Sequence, residues 1–258
     1  MPLGIGQWDL ILRPYLADLH VHTVLSACAE VEMIPPLIVK RAGELALGII
    51  AITDHNSAEN AAAVMEAAQG SELSVLPGME VQTKEEVHLL CLFDALEQVL
   101  DWQDVVYAHL PPLKNKPEVF GPQFVVDAPG DFVRHNERLL STATSLSIEE
   151  IVTAVAQRGG LCIAAHIDRP SFSLLANLGF VPPGVPFAAM EITRWANVNE
   201  LQHQHPSLTG YAFICSGDAH RLEEMSNRTV LTLGEPTIAE LAMAFRGQEG
   251  RKVKILAA

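Results

Sequence analysis

Histidines and carboxylates recur along this sequence at or just past the ends of short apolar runs: His20 and His22, His55, Glu80, His166, Asp218 and His220. His20 and His22 are two apart on what reads as an extended backbone, so both imidazoles project to one side and can grip one ion. His203 and His205 have the same spacing in a polar stretch and read as a solvated surface. Any one histidine of the first set can be satisfied as a packed side chain with one hydrogen bond. Several imidazoles and acids gathered in a partly buried place are costly unless a cation neutralises them. Divalent cations held there lower the pKa of water and stabilise charge on oxygen, which is the chemistry of metal-assisted hydrolysis. Other common devices are missing from the sequence. It has no Gly-x-Ser-x-Gly elbow, no glycine loop ending in Lys-Ser or Lys-Thr, and no dinucleotide fingerprint.

Residues so far apart in sequence can meet only if the elements between them deliver their ends to one place. Apolar runs alternate with helical stretches, the pattern of an α/β protein with a mainly parallel sheet. The expected strands are 16–21, 48–53, 73–76, 87–93, 160–165, 187–193, 211–216 and 229–233, with a further one at 253–256. Expected helices are 35–47, started by paired prolines and stopped at Gly48, then 58–69, 94–109, 147–158 and 237–246. Ser147 with Glu150 three residues on forms a capping box. In a parallel barrel the carboxyl ends of the strands converge on one face, where the histidines and acids would lie. The alternation breaks over residues 110–144, read as an insertion with a hairpin at 123–134 turning at Ala128, Pro129 and Gly130. The proline-rich stretch 171–186 is a candidate rim or lid.

With 49% hydrophobic and 19% charged residues in 258, the chain is globular in composition, and residues 1–258 are read as one domain. A net charge of −14 without a basic cluster argues against a long nucleic acid as partner and leaves small anions open. No segment approaches the roughly 20 apolar residues that span a bilayer. Residues 1–16 carry Asp9 and Arg13 and lack a basic start before an apolar run, so no secretory signal is expected and a cytoplasmic location is. Cys28, Cys91, Cys162 and Cys215 are scattered singly and suggest no disulfide framework.

The ordered set resembles one known family. Asp18-Leu19-His20-Val21-His22-Thr23, Ile52-Thr53-Asp54-His55, Gly78-Met79-Glu80-Val81 with His88, Ala165-His166 and Gly217-Asp218-Ala219-His220 look like the successive motifs of the PHP domain, named for polymerase and histidinol phosphatase. The resemblance spans most of the chain. It implies a distorted (β/α)7 barrel, two or three divalent ions (zinc, manganese or iron) and phosphoester hydrolysis. It further implies that His20, His22, Glu80 and Asp218 hold one ion, that Glu80 bridges to a second held by His88 and His166, and that His55 and His220 serve a third. Relatives usually present an aspartate or histidine five or six residues after the first motif, where this chain has Ala27 and Cys28. Cys28 as thiolate, Glu30 or Glu32 are the alternatives at that place, beside a plain loop thiol. Asp54 is expected to orient a ligand histidine, Arg169 or in reserve Arg194 to grip a phosphate, and Glu191 to support the centre.

The expected substrate is a small phosphomonoester. Rival readings are a nuclease or nucleotide phosphatase acting on short oligonucleotides or nucleoside phosphates, and a noncatalytic metal-stabilised interaction module.

Overall fold

The computed structural model describes residues 11–256; the reading of residues 1–16 as carrying no secretory signal falls largely outside them. The strands are β1 (Arg13–Val21), β2 (Ile49–Ile52), β3 (Ser74–Gln82), β4 (His88–Leu92), β5 (Phe124–Val126), β6 (Phe132–His135), β7 (Leu161–Ala164), β8 (Ala189–Glu191), β9 (Phe213–Ile214), β10 (Thr229–Leu233) and β11 (Lys252–Ile255). One sheet runs in the order β11-β10-β1-β2-β3-β4-β7-β8-β9, and β5 and β6 form a separate hairpin. The two edge strands, β9 and β11, lie against each other, so the sheet curls into a nearly closed barrel. This is the distorted α/β barrel expected from the motifs.

The barrel is less parallel than the alternation suggests. Its β1/β2, β2/β3, β7/β8 and β8/β9 pairs are parallel, but β3/β4, β4/β7, β1/β10 and β10/β11 are antiparallel. The reason is plain at β3/β4. Residues 83–87 make a tight turn, and a parallel crossover needs about a dozen residues or more. β3 is also longer than expected. It continues through Pro77 and Gly78, so Glu80 sits inside a strand rather than after one. A Cβ at Gly78 would lie 2.8 Å from Leu92 Cδ2 and 3.0 Å from the Cys91 carbonyl oxygen, so glycine here permits the close β3/β4 approach.

Strand side chains alternate between two apolar clusters, as the two-residue repeat of a strand requires. Ile50, Ile52, Leu89 and Cys91 join residues of the helices Pro35–Glu44, Ala61–Ala67, Leu96–His109 and Ile148–Gln157 in one. Ile49, Ala51, Leu90, Leu92 and Ile163 form the other, with the helix Ile238–Phe245 packed on it. The first helix ends at Glu44 rather than near Gly48. Ala46 takes the left-handed turn (φ 54°), and Leu47 N–H returns to the Ala42 carbonyl.

Ser147 caps its helix as expected: its hydroxyl accepts from Glu150 N–H at 3.2 Å while Ser147 N–H donates to Glu150 Oε2 at 2.7 Å. Replacing it with alanine is expected to cost about 1 kcal/mol of stability, read as a lowered urea midpoint with an unchanged slope. The hairpin β5/β6 docks on the barrel through Asn60, whose amide reaches the Phe124 carbonyl and Val126 N–H, both at 3.0 Å.

Candidate metal centre

The strands deliver their chemistry to one end of the barrel. His20 lies near the end of β1 with His22 just beyond it, and His55, His166, Asp218 and His220 follow β2, β7 and β9. β4 runs antiparallel to β3, so its first residue, His88, lies at the same end as the last residues of β3, opposite Gln82 in register. This reversal explains a histidine at the start of a strand.

Glu80 is the hub. One carboxylate oxygen, Oε1, is 2.7 Å from His88 Nδ1, 3.1 Å from His166 Nε2 and 3.3 Å from His20 Nε2. The other, Oε2, is 2.8 Å from His55 Nδ1 and 3.5 Å from His22 Nε2. Asp218 Oδ1 lies 3.3 Å from His20 Nε2 and 3.4 Å from His22 Nε2. Three sets of donor atoms lie within 4.8 Å of one another: His20, His22, Glu80 and Asp218; His55, Glu80 and His88; and His22, His55 and His220.

These residues fit divalent cations. Glu80 Oε2 and His166 Nδ1 are buried and have no hydrogen-bond partner, although His55 Nδ1 is near the former. His20 Nε2 and His22 Nε2 approach to 3.1 Å. Donor atoms crowded into one buried space, two of them without a hydrogen bond, suit a small cation.

The charged groups of the cluster compensate one another. Burial opposes ionisation of Glu80, but the imidazoles of His88, His20 and His55 outweigh it and hold its carboxyl well below the usual range. Asp218 is likewise held low against burial, by His20 and His22. Burial disfavours a charged His20, yet Glu191, Glu80 and Asp218 raise it well above an ordinary imidazole. His55 is raised against its own burial by Glu80 and Cys28, and His220 by Cys28 and Asp218. Burial pushes His22 well down, and His220 and His55 add to the effect. His88 is lowered, chiefly by burial.

Supporting groups hold the imidazoles in place. Glu191, at the end of β8, bonds His20 Nδ1 and the His166 backbone N–H through Oε2, both at 2.9 Å. Loss of such a supporting carboxylate costs roughly 10- to 100-fold in metal affinity. That is the weakening expected for Glu191→Gln, measured by competition with a chelating dye. Asp54 does not touch an imidazole. Its buried carboxylate accepts from Thr23 N–H, Thr23 hydroxyl and Ser26 hydroxyl, each at 2.7 Å, and Ser26 Oγ in turn meets His22 Nδ1 at 3.0 Å. The expected orienting contact is therefore relayed through Ser26, a residue the sequence reading passed over.

Asp18, fully buried, accepts from Gly217 N–H at 2.9 Å and Ser226 N–H at 2.6 Å, tying β1 to the segment after β9. A Cβ at Gly217 would come 2.8 Å from Asp18 Oδ2 and 2.5 Å from the Glu224 carbonyl oxygen, so the aspartate needs a glycine there. Burial raises Asp18 to about 7 against these backbone donors. His166 (φ 27°) and Asp218 (φ 47°) both sit in the left-handed region, strain of the kind that clusters at functional sites.

Arg169 donates to Asp218 Oδ2 and, with Arg194, lines a cavity of about 820 Å³ that also takes in His166, Asp218 and His220. The Arg194 guanidinium lies 4.6 Å from the Trp195 ring centroid. Phe172, in the stretch expected to form a rim, stacks on His88 with ring centroids 4.9 Å apart, and its carbonyl accepts the His88 N–H. No sequence signal marks that contact. His203 and His205 lie away from the cluster, at the end of the helix Val198–Gln204.

Residues 18–177 match the PHP domain family, and the chain belongs to it. No curated protein matches the sequence. Among solved structures, the lesion-specific endonuclease PfuEndoQ of Pyrococcus furiosus superposes with a TM-score of 0.69 at 19% identity, covering 93% of this chain and 58% of that one. A complex of endonuclease Q with a 27-mer duplex bearing an abasic lesion gives 0.66 at 18%, with the same coverage. A protein of Bifidobacterium adolescentis assigned as a metal-dependent phosphoesterase gives 0.52 at 20%, covering 86% of this chain and 89% of that one. The chain thus spans less than two thirds of the length of the endonuclease. At these identities the likeness is one of fold. No helix among the described residues is long and apolar enough to cross a membrane.

Proposed function

We propose that this chain is a metal-dependent phosphoester hydrolase acting on a small phosphomonoester, with residues 1–258 as one barrel domain carrying an insertion near 110–144. The observation that carries the reading is the hub at Glu80. A buried carboxylate faces His20, His22, His55, His88 and His166 and keeps one oxygen without a hydrogen bond.

In this reading His20, His22, Glu80 and Asp218 hold one ion, Glu80 with His88 and His166 a second, and His55 and His220 serve a third. Bound there, divalent cations supply Lewis-acid charge and a water of near-neutral pKa. The imidazole-rich donor set favours zinc, manganese or iron over magnesium or calcium alone. Glu191 and Ser26 keep His20 and His22 in their orientations. Arg169 and Arg194 line the open side, where their N–H groups can meet phosphoryl oxygens and balance the charge that grows on them during hydrolysis.

A cavity of about 820 Å³ accommodates a small ester. The net charge of −14 disfavours a long polyanion. The test is elemental analysis of purified protein, joined to a phosphoester panel with zinc, manganese and iron restored in turn. Phosphate release from small monoesters that tracks metal content is the expected result. Preferential digestion of short oligonucleotides would move the substrate class to nucleic acid. Bound metal with no turnover across the panel would leave a noncatalytic module.

A further inference from the structure

We infer that the cavity beside the metal centre holds a leaving-group subsite for a hydroxylated sugar ring, with Trp195 as its stacking platform and Ser216 as a hydrogen-bonding partner. The inference rests on the reading of the centre as a phosphomonoester hydrolase. Neither residue belongs to a metal-donor set, and both line the cavity of about 820 Å³ that reaches the centre at His166, Asp218 and His220.

Trp195 is 80% exposed, although tryptophan is on average a well-buried residue. The turn that carries it is pinned on both sides. Thr193 N–H and hydroxyl donate to Asp168 at 2.8 and 2.5 Å, and Ala196 N–H returns to the Thr193 carbonyl at 3.1 Å. The Arg228 guanidinium donates to the Arg194 carbonyl at 2.8 Å and is itself held by the Leu256 carbonyl at 3.3 and 3.2 Å. The indole therefore stands on a preordered turn at the cavity wall, where a ligand meets it without the cost of ordering a loop.

Ser216 supplies a second, independent sign. It is 9% exposed, and its Oγ is buried without a hydrogen-bond partner. Glu191, on the neighbouring strand and opposite Ile214 in register, lines the same cavity. Its Oε2 serves His20 and His166, but its Oε1 is buried and unpartnered. Buried polar oxygens without partners are rare. One of these is a carboxylate oxygen, an acceptor, and the other a hydroxyl, which donates or accepts.

Neighbouring hydroxyls of a sugar ring answer both oxygens, and the slightly positive C–H face of the ring suits the negative face of an indole. A flat aromatic leaving group would use Trp195 alone and leave both oxygens unmet. A plain alkyl chain would use neither. The same ring can arrive as a free sugar phosphate or as the ribose of a nucleotide.

The test compares kcat/KM of metal-loaded wild type, Trp195→Ala and Ser216→Ala. Its substrates are hexose and pentose phosphates, a nucleoside monophosphate with and without its ribose hydroxyls, phenyl phosphate and propyl phosphate. Wild type is expected to prefer a sugar ester to propyl phosphate by about a hundredfold, and each substitution should lower that preference about tenfold with propyl phosphate turnover unchanged. Ser216→Ala removes an unpartnered hydroxyl, so its urea midpoint should be unchanged or raised, which separates recognition from folding. Free sugar should also perturb the tryptophan fluorescence of wild type and not that of Trp195→Ala. A nucleotide that outperforms free sugar phosphates supports the subsite if losing its ribose hydroxyls costs as much as Ser216→Ala; equal turnover without them would overturn it. Phenyl or propyl phosphate cleaved as well as sugar esters, with both variants like wild type, would overturn this inference alone. No turnover of any monoester would overturn it together with the proposed function.

Discussion

Glu80→Gln is expected to strip the centre of metal and reduce turnover by roughly a thousandfold or more. The substitution is nearly isosteric, so the effect measures charge and donor power rather than packing. Five imidazoles face this carboxylate at 2.7 to 3.5 Å, and it belongs to two of the three donor sets. An amide offers one weaker oxygen donor and one N–H pair that would point at nitrogens which must accept a cation. Losing one preorganised charge-stabilising group costs roughly a hundred- to a thousandfold in turnover, and this substitution weakens two donor sets at once. Bound metal by elemental analysis and phosphate release are measured together, with circular dichroism to establish folding. Full metal content and activity in the folded variant would sink the assignment of Glu80 as the shared ligand.

Metal affinity is expected to climb steeply with pH across the neutral range. His20, His55 and His220 hold protons more tightly than a free imidazole in the metal-free chain, because carboxylates or the Cys28 thiol face them. A metal takes only the neutral ring, so binding must displace those protons. Glu80 and Asp218, held low, are already ionised, and His22 and His88, held low, are already neutral; none of the four adds a slope there. The sign is thus fixed by the raised group: below its pKa protons compete with metal, above it they do not. Each displaced proton changes the apparent dissociation constant about tenfold per pH unit, so a slope of roughly one to three decades per unit is expected. Chelator competition at stepped pH, with calorimetry in buffers of different ionisation heat to count protons, checks it. An affinity that stays flat from about pH 6 to about pH 8 would contradict the picture.

Local signals in the chain determined a good deal. Alternation of apolar runs with helical stretches, the capping box at Ser147 and Glu150, and the order of the histidine and acid motifs are written in short spans and were legible there. Each depends on neighbours a few residues away, where propensity and periodicity act. Tertiary structure alone decided the rest. β4 reverses direction and so brings His88 to the same barrel end, and β3 runs on through Pro77 to hold Glu80 inside it. Glu191 reaches His20 across 171 positions, and Asp18 reaches Ser226 across 208. Phe172 stacks on His88, and Ser26 stands between Asp54 and His22. No spacing rule encodes such partners. They follow from how a closing sheet twists its strand ends together, and that geometry exists only after the whole barrel has packed.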